Sequence, residues 1–301
     1  MQDTLPTWTE RAALVYGARK AGTTLLLNLL DGSDALMAFP SEVKLKSLHR
    51  VPAGTHSRDT YLARSRVAEV DARRLSQDRY KALWAAVDPT AIAGKLCNLL
   101  RLDAWHVQQA AARAPLTPQL WCAKEVGGDT DAILDLWWRC FPDAPILFIL
   151  RNPLMVTRAV LQDRRRKDRR LGIADIVRET ADPMRVVAAQ SRHLGDPRLL
   201  AIAYEDMVTD TPATMGRIAA FFGIPFDEIL LRPTLFGEPI VVRTSSRSTT
   251  EVFQSSDDWR DGLTGRERFW VRVTAMLLGF LPRYSVDYAG LRRRLSQIDQ
   301  R

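Results

Sequence analysis

The sequence has few of the residues that build metal sites and disulfide frameworks. Its 301 residues include three cysteines and four histidines. The cysteines, Cys97, Cys122 and Cys140, have neither the paired spacing of a zinc site nor the density of a disulfide-stabilised secreted domain. We therefore expect buried or idle thiols in a reducing compartment.

The sequence also lacks long apolar segments, and its first ten residues do not have the pattern of a signal peptide. No apolar run approaches the roughly 20 residues that a transmembrane helix needs, and residues 1–10 have neither a basic start nor an apolar core. These absences predict a cytoplasmic protein. A chain that is 46% hydrophobic and 26% charged is typical of a globular protein, and we expect one domain with an insertion rather than two domains.

Positive charge is in excess. The formal net charge of +8 favours anionic partners, such as a nucleotide, an acidic glycan, nucleic acid or an anionic membrane, without choosing among them. The densest basic cluster is Arg164–Arg170, which we expect to be a solvated helix end. The alternative is a peripheral contact with a membrane or an anionic polymer.

Apolar runs that alternate with helical patterns predict an α/β fold. The runs predict strands at 13–16, 35–39, 120–123, 145–150 and 199–203, with Pro40 ending the second. The helical patterns predict helices from Thr23 onward and at 130–140, 153–165, 183–193, 211–222 and 264–280. The short connections favour a central parallel sheet of four or five strands in a three-layer sandwich. Residues 57–114 are predicted to form a helical insertion that serves as a lid over a bound substrate.

Residues 12–30 have the pattern of a phosphate-binding loop. An apolar strand leads into a tight loop, and a helix begins at Thr23. Gly22 lets the backbone approach an anion, and the first N–H groups of the helix and its dipole attract negative charge. Lys20 and the hydroxyls of Thr23 and Thr24 add further donors, so we expect this loop to bind phosphate.

The loop departs from the pattern of magnesium-dependent nucleotide hydrolases. Thr23 occupies the lysine position of a Walker A motif, and the lysine lies inside the loop as Lys20. The strand 145–150 ends in Arg151, where a carboxylate for Mg²⁺ would be needed. These features favour a nucleotide bound without magnesium. A magnesium-dependent P-loop kinase and a basic nucleic-acid-binding protein are the alternatives, although no base-reading motif is present.

Three sequence motifs follow one another in a fixed order. They are K-A-G-T-T at 20–24, F-P-D-A and R-N-P at 141–144 and 151–153, and Y-E-D-M and F-G-I-P-F at 204–207 and 222–226. Together they resemble the signatures of sulfotransferases that use 3′-phosphoadenosine 5′-phosphosulfate (PAPS), in particular carbohydrate-type and bacterial members. The resemblance implies a P-loop-like sulfotransferase fold and sulfuryl transfer from PAPS to a hydroxyl acceptor without a metal. We expect a saccharide or glycolipid as the acceptor, no nucleic acid partner, and 3′-phosphoadenosine 5′-phosphate (PAP) as the product.

The resemblance assigns the loop to the 5′-phosphosulfate. Lys20 is expected to stabilise the leaving phosphate, because the matching lysine of the family has that role. The other expected ligands of the 5′-phosphosulfate are Arg19, Ala21, Gly22, Thr23 and Thr24.

The resemblance also places the 3′-phosphate of PAPS at Arg151, with a salt bridge to Glu205 or Asp206 as the alternative for this arginine. Tyr204 is expected near the adenine, or as a buried structural tyrosine. Ala159 stands where the family often has a second phosphate-binding serine. The arginines that are expected to replace that serine are Arg158, Arg247 and Arg260.

The general base is expected at Glu42. This glutamate resembles the base of glycan-modifying members, which lies in a similar stretch after the first helix. Lys124, at the end of the third predicted strand, matches a family lysine near the acceptor. His49 and His106 are the alternative bases.

Overall fold

The structure is a computed structural model. The residues that it describes are 5–43, 118–235, 237–243 and 258–298, together with 45, 97, 98, 100–102, 104, 105, 108, 248, 249 and 252. Most of the predicted insertion at 57–114 lies outside the described residues, and so do Arg247, His49 and His106.

A five-stranded parallel sheet forms the centre of the fold. Its strands are β1 (Ala12–Gly17), β2 (Leu36–Glu42), β3 (Leu120–Val126), β4 (Ile146–Leu150) and β5 (Leu199–Ala203). They pair in the order β2-β3-β1-β4-β5. The predicted α/β fold with a central parallel sheet is therefore confirmed.

Helices and short ladders complete the described part of the chain. The helices are α1 (Thr23–Leu30), α2 (Thr130–Cys140), α3 (Pro153–Arg166), α4 (Ile173–Arg192), α5 (Tyr204–Thr209), α6 (Thr211–Phe222), α7 (Gly265–Gly279) and α8 (Tyr288–Ile298). The short antiparallel ladders pair β6 (Thr234–Leu235) with β7 (Glu238–Pro239), and β8 (Val242–Arg243) with β9 (Ser248–Thr249).

The central strands are buried, and an aromatic cluster packs against β3. Every residue of β1, β3 and β4 is buried, as expected for parallel strands that are covered on both faces. Trp121 of β3 packs its ring 5.8 Å from that of Trp137, which lies 4.9 Å from Phe141. The indole N–H of Trp121 donates to the Thr9 carbonyl at 2.9 Å. Because the strands are parallel, the loops that follow them meet at one edge of the sheet, where α/β proteins bind ligands.

Pro40 does not end the second strand, contrary to the prediction. β2 continues to Glu42, with a shift of register against β3 between Ala38 and Glu42. Because β2 is an edge strand of the sheet, a proline there can turn its missing N–H away from the ladder. The extension brings Glu42 to the position opposite Lys124.

The helix predicted to start at Pro183 starts ten residues earlier, at Ile173. Proline inside a helix leaves the carbonyl of residue i−4 without its usual donor. Here that carbonyl belongs to Glu179. The hydroxyl of Thr157 lies 3.4 Å from it, but the same hydroxyl has a shorter contact, 2.9 Å, with the Pro153 carbonyl. The helix nevertheless continues to Arg192, with Pro183 among its buried residues.

Helix α6 has the predicted bounds, and its cap is Asp210, whose carboxylate accepts from the Ala213 N–H at 3.1 Å. Helix α8 was not predicted, because a glycine and three consecutive arginines interrupt its apolar pattern.

Candidate functional site

The loop between β1 and α1 has a backbone that requires glycine. Gly22 has φ 109° and Lys20 has φ 66°, both in the left-handed region that side chains disfavour. A Cβ on Gly22 would lie 2.5 Å from Cδ2 of Tyr204. The first intrahelical bond of α1 runs from Leu26 N–H to the Gly22 carbonyl at 3.0 Å. The N–H groups before it therefore point out of the helix end, toward the space above the loop.

Arg151 and Tyr204 lie against this loop. Arg151 is 8% exposed, and its Nη1 donates to the Lys20 carbonyl at 2.9 Å. Its guanidinium carbon lies 4.1 Å from the ring centroid of Tyr204, a distance at which a cation is attracted to an aromatic face. The fold thus brings Arg151 to Lys20, which is 131 positions away in the sequence.

The acids after Tyr204 bind other parts of the protein. Glu205 accepts from the Asn152 N–H at 3.2 Å and from the hydroxyl of Tyr288. Asp206 accepts from Arg292 Nε at 2.8 Å. Burial and the neighbouring Glu205 carboxylate raise the pKa of Tyr288, so its hydroxyl remains a donor. These contacts fix α5 to α3 and α8.

A cavity of about 500 Å³ opens beside Arg151 and Tyr204. Sequence reasoning missed its α8 wall, because α8 itself was not predicted. The residues that line the cavity are Arg151, Asn152, Met155, Tyr204, Glu205, Asp206, Val208, Tyr288, Ala289, Arg292, Arg293 and Ser296.

The cations of the loop form ion pairs with carboxylates on the adjoining helices. Lys20 Nζ lies 3.2 Å from Asp163 of α3, and Arg19 pairs with the buried Glu179 of α4, which Arg164 also contacts. Partial burial opposes ionisation of Asp163, but hydrogen bonds and charge attraction from Lys167 and Lys20 outweigh it and lower its pKa. Sequence reasoning did not anticipate either acid, because only the folded chain brings α3 and α4 to the loop.

A second group of polar side chains lies at the carboxyl ends of β2 and β3. Lys124 is 7% exposed, and its ammonium group donates to the hydroxyl of Thr24 at 2.6 Å. Glu42 is its partner in the strand register and is half-buried. The predicted base and the predicted acceptor lysine therefore lie beside the first turn of α1.

Two of the predicted replacements for the missing serine lie beside Asp258, one on α3 and one in the turn that follows Asp258. Arg158 is 6% exposed and donates to the Asp258 carbonyl at 2.7 Å. Arg260 is exposed, lies 3.2 Å from the carboxylate of Asp258, and stacks 5.0 Å from the ring centroid of Trp259. Both therefore organise the turn at 258–263, while Ala159 is buried.

Two classes of feature were not found in the part of the chain that the structure describes. No helix there combines the length and the apolar character that a membrane crossing requires. The described residues also contain no group of three or more His, Cys, Asp or Glu side chains arranged around a possible metal. Metal independence stays a prediction.

Comparison with solved structures supports the same fold. The sulfotransferase domain from the curacin biosynthetic pathway has 17% identity and a TM-score of 0.51, covering 90% of this chain and 98% of its own. The sulfotransferase domain of the Synechococcus PCC 7002 olefin synthase has 20% identity and a TM-score of 0.49, covering 92% and 98%. Mouse sulfotransferase SULT7A1, complexed with PAP, has 11% identity and a TM-score of 0.47, covering 97% and 89%.

Sequence comparison gives the family. No curated protein matches the chain. The profile described as the sulfotransferase family matches residues 13–228, a span that contains the loop, Arg151 and Tyr204 and extends over most of the chain. The protein belongs to the sulfotransferase family.

Proposed function

We propose that the protein transfers a sulfuryl group from PAPS to a hydroxyl group of a saccharide or glycolipid. The observation that carries this proposal is a set of basic residues, Lys20, Arg151 and Lys124, in and beside the loop that precedes α1. Arg151 donates to the Lys20 carbonyl in the loop, and Lys124 donates to the hydroxyl of Thr24 in the first turn of α1. A donor with phosphate groups at both its 3′ and 5′ positions needs cations at two places. This set supplies them, and membership of the sulfotransferase family gives the reaction class.

The donor would be held by groups that the fold has already positioned. The N–H groups at the start of α1, Thr23, Thr24 and Lys20 suit the 5′-phosphosulfate, since a helix end and a lysine both favour an anion. Arg151 suits the 3′-phosphate, because its guanidinium is fixed before any ligand arrives. Tyr204 offers an aromatic ring beside it for a base.

The side chains have distinct tasks in the transfer. PAPS supplies an activated sulfuryl group for in-line displacement, in which a new bond from sulfur to the acceptor oxygen replaces the bond to the bridging oxygen. Lys20 neutralises the charge that develops on the leaving phosphate. Glu42 accepts the proton of the acceptor hydroxyl, and Lys124 orients Thr24 and the acceptor.

The saccharide acceptor is inferred from the charged end of β2 and β3. Glu42, Lys124 and Thr24 provide hydrogen-bonding groups of both polarities, which match the many hydroxyls of a sugar better than an apolar ring. The overall positive charge favours an acceptor that already carries acidic groups.

Nucleotide-dependent heat stability tests the donor. PAP, AMP, and ATP with magnesium are compared on the wild type and on Arg151→Ala. We expect stabilisation by PAP without metal, and its loss in the variant, since a ligand stabilises only the state that binds it. Stabilisation by ATP with magnesium alone would refute the PAPS assignment.

Replacement of Glu42 tests the base. With a sulfated product as the readout, Glu42→Gln is expected to lower kcat about a hundredfold or more while PAP binding stays unchanged. Glu228→Gln, which replaces an exposed glutamate at the start of the short helix Glu228–Leu231, is the matched control. A kcat for Glu42→Gln equal to that of the control would exclude Glu42 as the base.

The acceptor class has its own test. Acidic oligosaccharides, neutral oligosaccharides, and phenols or sterols are offered in parallel with PAPS. Product formed only with the phenols or sterols would overturn the saccharide assignment and leave the donor assignment intact.

A further inference from the structure

Helix α7 has large apolar side chains on its solvent-exposed side. Its inner face is buried through Val271, Thr274 and the capping residue Glu267, and the helix packs against α4. On the solvent side, Phe269 is 60% exposed, Met276 58% and Phe280 80%. Leu277 and Leu281 lie beside them and are about half-exposed. The helix thus has apolar side chains on both of its faces.

This arrangement differs from that of an ordinary surface helix, because large apolar side chains lie among the exposed arginines. Phe269, Met276 and Phe280 follow one another at intervals of seven and four residues, which places them on one side of a helix. An amphipathic helix keeps its polar residues there. Contiguous exposed apolar side chains on a folded protein mark a surface that another body covers.

Within the segment that forms this face the exposed charges are positive, and the exposed acids Asp261 and Asp287 flank it. From residue 265 to 285 the only acid is the buried Glu267, and the basic residues are Arg266, Arg268, Arg272 and Arg283, all exposed. Arg165, at the end of α3, contacts the Gly262 carbonyl and lies 3.6 Å from Glu267. The basic end of α3 therefore adjoins the start of α7.

The exposed cations at that end of α3 extend the positive rim. Arg164 and Arg165 make internal contacts, and Arg166 and Lys167 pair with Asp163. Asp168, Arg169 and Arg170 are exposed beyond them. The rim thus has more exposed positive charge than its ion pairs neutralise.

We propose that the outer face of α7, with this arginine rim, binds the surface of an anionic membrane. Apolar side chains enter the headgroup boundary while arginines beside them contact lipid phosphates, which is how interfacial helices bind. A second copy of the chain fits less well, because a two-fold contact through this face would bring arginines against arginines. The proposal is independent of the sulfuryl acceptor.

Vesicle sedimentation tests the proposal. The intact chain is mixed with vesicles of phosphatidylcholine alone, or of phosphatidylcholine and phosphatidylglycerol in equal parts. The wild type is expected to bind the anionic vesicles, and the double variant Phe269→Ser/Phe280→Ser to bind them about tenfold more weakly or worse. The control is Phe226→Ser, which removes a phenylalanine that is 48% exposed on the loop after α6.

The charge contribution is measured separately. Arg272→Gln and Arg283→Gln are each expected to weaken binding to anionic vesicles about fivefold, and added salt should weaken the wild type in the same direction. Circular dichroism establishes that each variant is folded.

Two results would overturn the proposal. One is equal vesicle binding by the wild type and the double variant. The other is a wild-type dimer in sedimentation velocity that the double variant converts to a monomer, since this outcome would assign the face to a second copy. Because neither readout uses PAPS, failure here would leave the proposed sulfuryl transfer untouched.

Discussion

Arg151 and Lys20 are two cations at the same loop that are held in different ways. Arg151 is 8% exposed and contacts the Lys20 carbonyl and the Tyr204 ring. The Lys20 side chain is 40% exposed and lies 3.2 Å from the carboxylate of Asp163. One cation is buried and contacts a backbone carbonyl and an aromatic ring, and the other is partly exposed and paired with an acid.

The difference matters because the two cations meet different needs. A fixed guanidinium has already lost its side-chain freedom, so it can bind a ground-state anion without further ordering. A surface ion pair contributes about 1 kcal/mol or less, so an arriving phosphate can displace Asp163 from Lys20 at small cost. We therefore expect Arg151 to determine donor affinity and Lys20 to determine rate.

Replacing Gly22 should have the largest effect, because both cations depend on this loop. Gly22→Ala places a side chain at φ 109° and 2.5 Å from the Tyr204 ring, and strain and overpacking together should lower the free energy of unfolding by about 4 kcal/mol. Chemical denaturation measures the loss. Gly216→Ala is the control, since a Cβ there meets nothing within 4 Å, and it should stabilise α6 by up to about 1 kcal/mol. Equal stabilities of the two variants would contradict the role of the loop.

Arg151→Ala should weaken PAP binding by about 3 kcal/mol, as measured by titration calorimetry. Arg151→Lys retains the charge without the planar fork, so we expect it to recover only part of the affinity. If both variants bind PAP as the wild type does, Arg151 is not the fixed anion site.

Lys20→Met should lower kcat about a hundredfold, equivalent to about 2.7 kcal/mol, with a smaller loss of PAP affinity than Arg151→Ala. The heat stability of the variant without ligand should stay close to that of the wild type. A loss of PAP affinity as large as that in Arg151→Ala, with kcat unchanged at saturating donor, would contradict the expectation that Lys20 determines the rate rather than the affinity.

Asp163→Asn should have the smallest effect, a loss of about 1 kcal/mol or less at neutral pH. Because the pKa of Asp163 is lowered in the folded protein, its contribution is present above its ordinary value of 3.8 and is lost as the pH falls through the lower folded value. The stabilities of the wild type and the variant should therefore converge in acid. Asp135→Asn, which removes an exposed ion pair with Arg139 on α2, is the control.

The sequence predicted the parts of the fold that local patterns encode. The helix Thr130–Cys140 and the strand Leu199–Ala203 have the predicted bounds, because their caps and apolar spacing are local. The loop at 17–22 was likewise recognised from its glycines and Lys20.

The sequence did not predict features that depend on a distant partner. Helix α4 continues through Pro183, which is buried against the rest of the fold, and β2 continues through Pro40, which an edge strand can accept. The carboxylates beside the loop cations, Asp163 and Glu179, come close only when α3 and α4 fold over the sheet. Such contacts have no local signature.

Pro183 leaves one carbonyl of α4 without its usual helical donor. That carbonyl belongs to Glu179, whose carboxylate pairs with Arg19 of the loop and with Arg164 of α3. The helix therefore gives up a backbone hydrogen bond at the same residue whose side chain joins it to the phosphate-binding loop.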